Sequence, residues 1–469
     1  MKNKRTILLG MLIFAALLSC SKKGLEESQP AITKNAVANV NNTLLADPPL
    51  TWQEHWFDHV QVLQRFYHDT SIVVYHDNDV SSTVTWPNTY LAQVWNYTKS
   101  KYGSFGTDSR LWAIFHTGKY SGGHPSTYMD ASHDYRNVID VGSSSTSAWL
   151  SGTGNDLDLT THEVGHIVEG ASRNVLNSPA FGIWHDSKWM EIYIYDVYIG
   201  LNRSADVQRW YNLVANGSES YPRAQTYWFR DWFFPIYSQQ GDASSLNKYF
   251  SLLAQYFPKQ TVNNGQTNIQ RFSRSMNYGE FIHFWSGATG MDLKPLALSA
   301  FGNLDEQGND WLAQLNAAKT AFPGVTYLKD ISSQAVVSVS NENAGGAAAA
   351  EGSAKLSDSY YNTKFFLGAY PNTFWAQLTF PGSQVVKGYT ITAGNDAPDR
   401  DPKSWKLMGS NDGTNYTQLD IRSNETFGLR RQTKKMFISN TTAYKYYKLF
   451  ITANNGSVDL QLSEWRLLQ

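Results

Sequence analysis

The chain has 469 residues, more than one hydrophobic core usually serves, which excludes a single small module. Aliphatic and aromatic residues make up 42% and aromatics alone 14%, too much for a disordered chain. Lys and Arg number 39 against 40 Asp and Glu, a net charge of -1, so no global field favours nucleic acid or an anionic membrane surface, and no nucleic-acid partner is expected.

In chain order, residues 1–20 come first. Lys2, Lys4 and Arg5 precede an apolar run, 7–18, that is too short for a permanent membrane span, which reads as a secretory signal. The run ends Leu17-Leu18-Ser19-Cys20 and resembles a bacterial lipobox. That resemblance implies acylation of Cys20 and membrane attachment through this lipid alone, at the outer membrane or cell surface of a Gram-negative bacterium. Cys20 is the only cysteine, so the mature chain forms no disulfide and must draw its stability from packing and bound metals. Residues 21–46 are small and polar without a sustained period, a flexible tether.

Residues 47–329 are expected to form an α+β domain with a mainly helical second half. A helix is predicted over 89–102, strands over 111–116 and 137–141, and helices dominate after Asp158. From 330 to 469 short alternating runs at 375–380, 386–393, 405–410 and 446–452 are separated by Gly, Asn, Asp and Pro, the pattern of a β-sandwich.

Residues 158–170 contain His162-Glu163-Val-Gly-His166, whose imidazoles fall at i and i+4 on one helical face and can grip one metal. Neutral imidazole suits Zn²⁺, and Glu163 would deprotonate the attacking water. Thr160 and Glu163 also spell a capping box, in which Glu163 would only bond backbone. The apolar positions Leu157, Leu159, Val164, Ile167 and Val168 argue instead that the helix starts near Asp158, with Glu163 in its second turn.

A catalytic zinc takes three protein ligands and leaves a position for water. The metzincin pattern fails, because Glu169 and Ser172 stand where Gly and His are required. Residues 187–200 read as a buried helix in which a carboxylate is costly unless paired or on a metal, so Glu191 is the expected third ligand. Glu169 and His185 are rivals, and Asp196 is a candidate partner for a histidine ring nitrogen. Donors for the oxyanion are Tyr227, Tyr278 and His283, among which nothing in the sequence chooses.

These residues resemble the gluzincins, zinc peptidases in which the two-histidine helix is completed by a Glu from a later helix. The resemblance implies a zincin-like fold with one catalytic zinc, and an extended substrate lying along an edge strand at 137–141. Residues 277–295 resemble the later helical part of enhancin-like, mucin-attacking members in their aromatic and Gly positions.

The segments 354–365, 375–380, 401–413, 427–437 and 443–449 are similar to the discoidin (coagulation factor 5/8 type C) family, which includes carbohydrate-binding modules. The resemblance implies a jelly-roll sandwich over 330–469, a structural Ca²⁺ on Asp358, Thr363 and Glu464, and a glycan ligand, for which Tyr370, Phe427 and Arg430 are candidates. An ordinary Asx turn at Asp358 and a surface Glu464 explain the same residues without an ion.

The expected function is a lipid-anchored zinc endopeptidase acting on proteins or glycoproteins at the bacterial surface. The alternatives are a non-catalytic glycan-binding surface lipoprotein and a zinc hydrolase acting on a non-peptide amide or ester.

Overall fold

A computed structural model describes residues 47–358 and 363–469; the signal, Cys20 and the tether at 21–46 lie outside them. The described residues form two compact units, 47–216 with Phe257–Asn277, and Gly217–Tyr256 with the described part of 278–469. The division therefore differs from the expected boundary at 329/330, since helices of the middle region cluster with the C-terminal strands.

The first unit is built on a mixed sheet of β1 (Thr51–Gln53), β2 (Val62–His68), β3 (Ile72–His76), β4 (Leu111–Thr117), β5 (Lys119–Ser126) and β6 (Asn137–Ser143). Its order is β1-β2-β3-β4-β6-β5, with β3, β4 and β6 parallel and β5 antiparallel to β6. Helices α1 (Trp86–Tyr102) and α2 (Asn155–Ala171) lie on one face. The other face carries Trp52, Trp56, Tyr75, Trp112, Ile114 and Val138. Covered on both sides, β3 and β4 are buried along their whole length, which is why they read as continuous apolar runs. The helix expected at 89–102 starts three residues earlier, with a proline in its first turn, and ends at Gly103, whose φ of +105° only glycine adopts without strain.

Strand β6 is not the edge expected at 137–141. It sits between β4 and β5; among the described residues one edge of the sheet is β1, and the edge strand on this side is β5. Its sequence, KYSGGHPS, has neither alternation nor β-branched residues, and its proline is of the kind tolerated at a sheet edge.

Beyond α2 the first unit continues with β7 (Val175–Leu176), α3 (Phe181–Trp184), α4 (Lys188–Gly200) and α5 (Ser204–Val214). Strands β8 (Lys259–Asn263) and β9 (Asn268–Phe272) pair with β7 in the order β7-β9-β8. Helix α4 packs directly on α2 at Gly165, where a Cβ would stand 2.5 Å from Met190 Sδ, so a larger residue is excluded.

In the second unit a π-helical turn, Trp228–Phe233, leads into α6 (Phe234–Gln240) and α7 (Asp242–Tyr256), followed by α8 (Tyr278–Thr289), α9 (Lys294–Phe301) and α10 (Trp311–Ala321). Trp228, Trp232, Tyr249, Phe281, Trp285 and Phe301 interlock in its helical core.

A β-sandwich follows, made of β10 (Val336–Val339), β11 (Phe365–Leu367), β12 (Phe374–Gln384), β13 (Gly388–Thr392), β14 (Pro402–Ser410), β15 (Thr417–Arg422), β16 (Thr433–Phe437), β17 (Tyr444–Asn454), β18 (Leu460–Leu462) and β19 (Glu464–Leu468). Sheets β10-β12-β17-β14-β15 and β16-β13-β19 face one another across a core containing Phe380, Tyr389, Trp405, Leu449 and Trp465. Lys435 of β16 donates to the carbonyls of Gln240 and Thr289, which ties strands and helices of this unit together. The alanine-rich stretch 344–352 is neither helix nor linker. It folds into turns so tight that a Cβ at Gly352 would collide with the carbonyl oxygens of Gly346 and Ala347. No helix of the described residues is long and apolar enough to cross a membrane.

Candidate metal centre

Helix α2 starts at Asn155, so Glu163 is its ninth residue and no part of a capping box. The one-turn spacing brings His162 and His166 together with their Nε2 atoms 3.1 Å apart. Two nitrogens on a tetrahedral zinc, each at about 2.05 Å, stand about 3.3 Å from one another, so the pair is set for one ion.

The carboxylate whose oxygens cluster with both imidazoles is Asp186. Asp186 Oδ1 lies 3.5 Å from His166 Nε2, and Oδ2 lies 4.0 Å from His162 Nε2. Oδ1 is buried and meets no hydrogen-bond partner, as expected of an atom that faces a cation. His185, between α3 and α4, takes φ +55° and ψ -158°, and this turn is followed directly by Asp186. Glu191, one turn into α4, accepts from Lys188 Nζ at 2.6 Å. An i,i+3 ion pair thus gives the expected third ligand, Glu191, a partner in that buried helix, beside the cluster of His162, His166 and Asp186.

Glu169, the rival on the same helical face, has another task. His166 Nδ1 donates to Glu169 Oε2 at 3.0 Å, and Glu169 Oε1 accepts from Trp184 Nε1 at 2.7 Å. This fixes the tautomer that turns the lone pair of Nε2 toward His162. Asp196 is not that partner, because it accepts from Tyr97 at 2.8 Å and Tyr102 at 2.7 Å and anchors α1 to α4.

Burial, reinforced by His166 and Lys188, holds the His162 imidazolium well below its ordinary range, so this ring is neutral and ready to ligate. Burial acts in the same direction on His166, but the bond to Glu169 and the charges of Glu163, Glu169 and Asp186 outweigh it and raise that ring. Glu163 is 1% exposed and lies against β5 at Gly123, where a Cβ would stand 2.5 Å from its Oε1. Glycine at 123 is what lets the carboxylate sit beside this edge strand.

The expected oxyanion donors all lie in the second unit. His283 engages both ring nitrogens, Nδ1 with Tyr327 Oη and Nε2 with the Phe322 carbonyl, each at 3.1 Å. Tyr278 is buried in the aromatic core, and burial raises its phenol above the ordinary range. The ring of Tyr227 carries the Arg230 guanidinium at 3.7 Å.

Asp358, Thr363 and Glu464 do meet. Thr363 Oγ1 donates to both Asp358 oxygens, at 2.9 and 3.0 Å, and Glu464 is fully buried rather than on the surface. Burial, opposed by Arg466 and reinforced by Asp358, pushes the Glu464 carboxyl up to about 8. Cationic side chains also face both carboxylates: Lys355 Nζ lies 3.3 Å from Asp358 Oδ2 and Arg466 Nε 3.3 Å from Glu464 Oε2, so the expected Ca²⁺ would have to displace them. The sugar candidates fare otherwise: Tyr370 and Phe427 are buried in the sandwich core, and Arg430 donates to Asp401 at 2.5 Å, so none presents a face for stacking.

No family model matches the chain. A peptide-N(4)-(N-acetyl-beta-glucosaminyl)asparagine amidase of Arabidopsis thaliana is 35% identical over 79 residues, 16% of this chain. The match spans 11% of the length of that curated relative. Among solved structures, the F5/8 type C domain of a Bacteroides fragilis protein is 17% identical, with 30% of this chain and 96% of that one covered and a TM-score of 0.27. A CBM32 module from Clostridium perfringens, in complex with GalNAc-beta-1,3-galactose, is 16% identical, with 29% and 98% covered and a TM-score of 0.26.

Proposed function

We propose that the chain is a zinc-dependent hydrolase of peptide bonds in proteins or glycoproteins, centred on His162, Glu163 and His166. The observation that carries the reading is the convergence of two histidine Nε2 atoms, 3.1 Å apart, with the partnerless Asp186 Oδ1. A zinc ion held there would act as a Lewis acid and lower the pKa of a water molecule beside it. Glu163 takes the proton of the attacking water on its buried carboxylate and returns it to the leaving amine. Glu169 keeps His166 in the ligating tautomer throughout. A substrate paired as an added strand along β5 would present its carbonyl near Glu163, since Gly123 of that strand already touches this carboxylate.

The test is a peptide library offered to the zinc-loaded full chain and to Glu163→Gln. The variant should keep its zinc and lose hydrolysis by about 10²–10⁴-fold. Equal hydrolysis by both chains removes the mechanism, and cleavage confined to a non-peptide amide or ester changes the substrate class.

A second reading, glycan binding, is favoured by the outer face of the five-stranded sheet. Trp375, Tyr446 and Phe450 stand partly exposed on β12 and β17, and Lys448 Nζ lies 4.6 Å from the Trp375 ring and 3.9 Å from that of Tyr416. Flat rings beside a cationic donor suit a pyranose face. Glycan-array binding by the full chain, lost in Trp375→Ala, would support this reading, and no binding would remove it.

A further inference from the structure

On the sheet face opposite α2 a second group of metal-binding side chains is enclosed. Along β4, β5 and β6 alternate residues share a face, and the register pairs His124 with Asp140 and Gly123 with Val141. Gly123 faces Glu163 on α2, so Asp140 points away from that helix, as does His116, which shares a face with Ile114 opposite Asp140. Glu54 and His59, from the loop between β1 and β2, complete the group. All four residues are at least nine-tenths buried.

Glu54, His116 and Asp140 each have one polar atom held by a neighbour and one turned inward. Glu54 Oε2 accepts from the Gln61 N–H at 2.8 Å. Asp140 Oδ2 accepts from Trp56 Nε1 at 2.8 Å and faces His59 Nδ1 at 3.0 Å. His116 Nδ1 is bonded to Asp77 Oδ2 at 2.9 Å, and Nε2 turns to the two carboxylates, which raise the ring against the effect of burial and would give up the Nε2 proton to a bound ion. The inward atoms then meet: His116 Nε2 lies 2.9 Å from Glu54 Oε1 and 3.2 Å from Asp140 Oδ1. None of these three buried atoms makes a geometrically sound hydrogen bond. Two carboxylate oxygens this close to one ring nitrogen in a dry interior call for positive charge between them, supplied by a proton on Nε2 or by a metal ion. Lys119 is shared between Asp77 and Asp79, so beside His116 the carboxylates of Glu54, Asp77 and Asp140 gather negative charge that a divalent ion would neutralise.

We infer that Glu54, His116 and Asp140, with His59 beside them, bind a divalent transition cation of the zinc class, distinct from the ion at His162 and His166. The separations of 2.9 and 3.2 Å are those of neighbouring ligands about 2.1 Å from a small ion, and imidazole donors disfavour calcium and magnesium. The ion joins the β1–β2 loop to β4 and β6. In a chain whose one cysteine permits no internal disulfide, it serves as the cross-link of this sheet.

The experiment is Co²⁺ uptake by the full chain, read by elemental analysis and by d–d absorption. Glu54→Gln, which keeps the shape of the side chain, should bind about one equivalent fewer than the wild type. His162→Ala/His166→Ala should retain about one equivalent, with a melting temperature that rises on Co²⁺ addition. Should Glu54→Gln fail to fold, the histidine double variant decides alone. Equal uptake by wild type and folded Glu54→Gln, or no uptake by the histidine double variant, overturns the assignment in favour of a metal-free imidazolium–carboxylate network. Loss of one equivalent, with one retained, in His162→Ala/His166→Ala concerns the other centre only, so the two readings fail separately.

Discussion

His166 and Glu169 are bonded 3.0 Å apart on one face of α2, and the second carboxylate oxygen of Glu169 is held by Trp184. The histidine is thus oriented from behind by its own helix and by a tryptophan of α3. Glu169→Gln should leave the fold intact and weaken zinc binding by about 10–100-fold, measured by competition with a chelating dye. Unchanged affinity would show that the ring is oriented by other means.

The third ligand is decided by two neutral substitutions. Asp186→Asn should lower zinc affinity by at least about 100-fold, beyond the range of an outer partner. Glu191→Gln should leave affinity unchanged if Asp186 is the ligand, Glu191 Oε1 being bonded to Lys188. The reverse pattern would restore Glu191 as the ligand.

Gly123→Ala places a methyl group 2.5 Å from Glu163 Oε1. Zinc content should stay at the wild-type value while kcat/KM for a cleaved peptide falls by about 100-fold, since a displacement near 1 Å suffices for such a loss. Wild-type kcat/KM in this variant would mean that Glu163 need not occupy its observed position.

Lys435 is buried in the second unit, and burial, opposed by Asp242, lowers its ammonium to about 7 from an ordinary 10.5. Between these values the unfolded chain holds a proton that the folded chain lacks, so this group makes stability rise with pH across the window, by up to about 1.4 kcal/mol per pH unit. Urea unfolding at pH 7 and pH 9 should show that rise in the wild type and a smaller one in Lys435→Met. Equal slopes in both chains would refute the depressed ammonium.

How much of this could be read beforehand depended on whether the signal was local. His162, Glu163 and His166 are visible as a spacing, because a helix turns i and i+4 into neighbours. The strands at 375–380 and 405–410 are visible as alternation, and they form parts of β12 and β14. Asp186 is hidden because its placement depends on the positive φ of His185, which the sequence around it does not signal. Strand β5 is hidden by its glycines and proline. Glu54, His59, His116 and Asp140 are separated by up to 86 residues, and the register of β4 against β6, with the β1–β2 loop, brings them together.

The central claim is that His162, His166 and Asp186 hold one ion beside Glu163. A crystal of the zinc-loaded full chain, with diffraction recorded on both sides of the zinc absorption edge, tests it most directly. The account predicts an anomalous peak about 2.1 Å from both Nε2 atoms and within bonding distance of Asp186. A fully loaded crystal with no peak between those two imidazoles would contradict it.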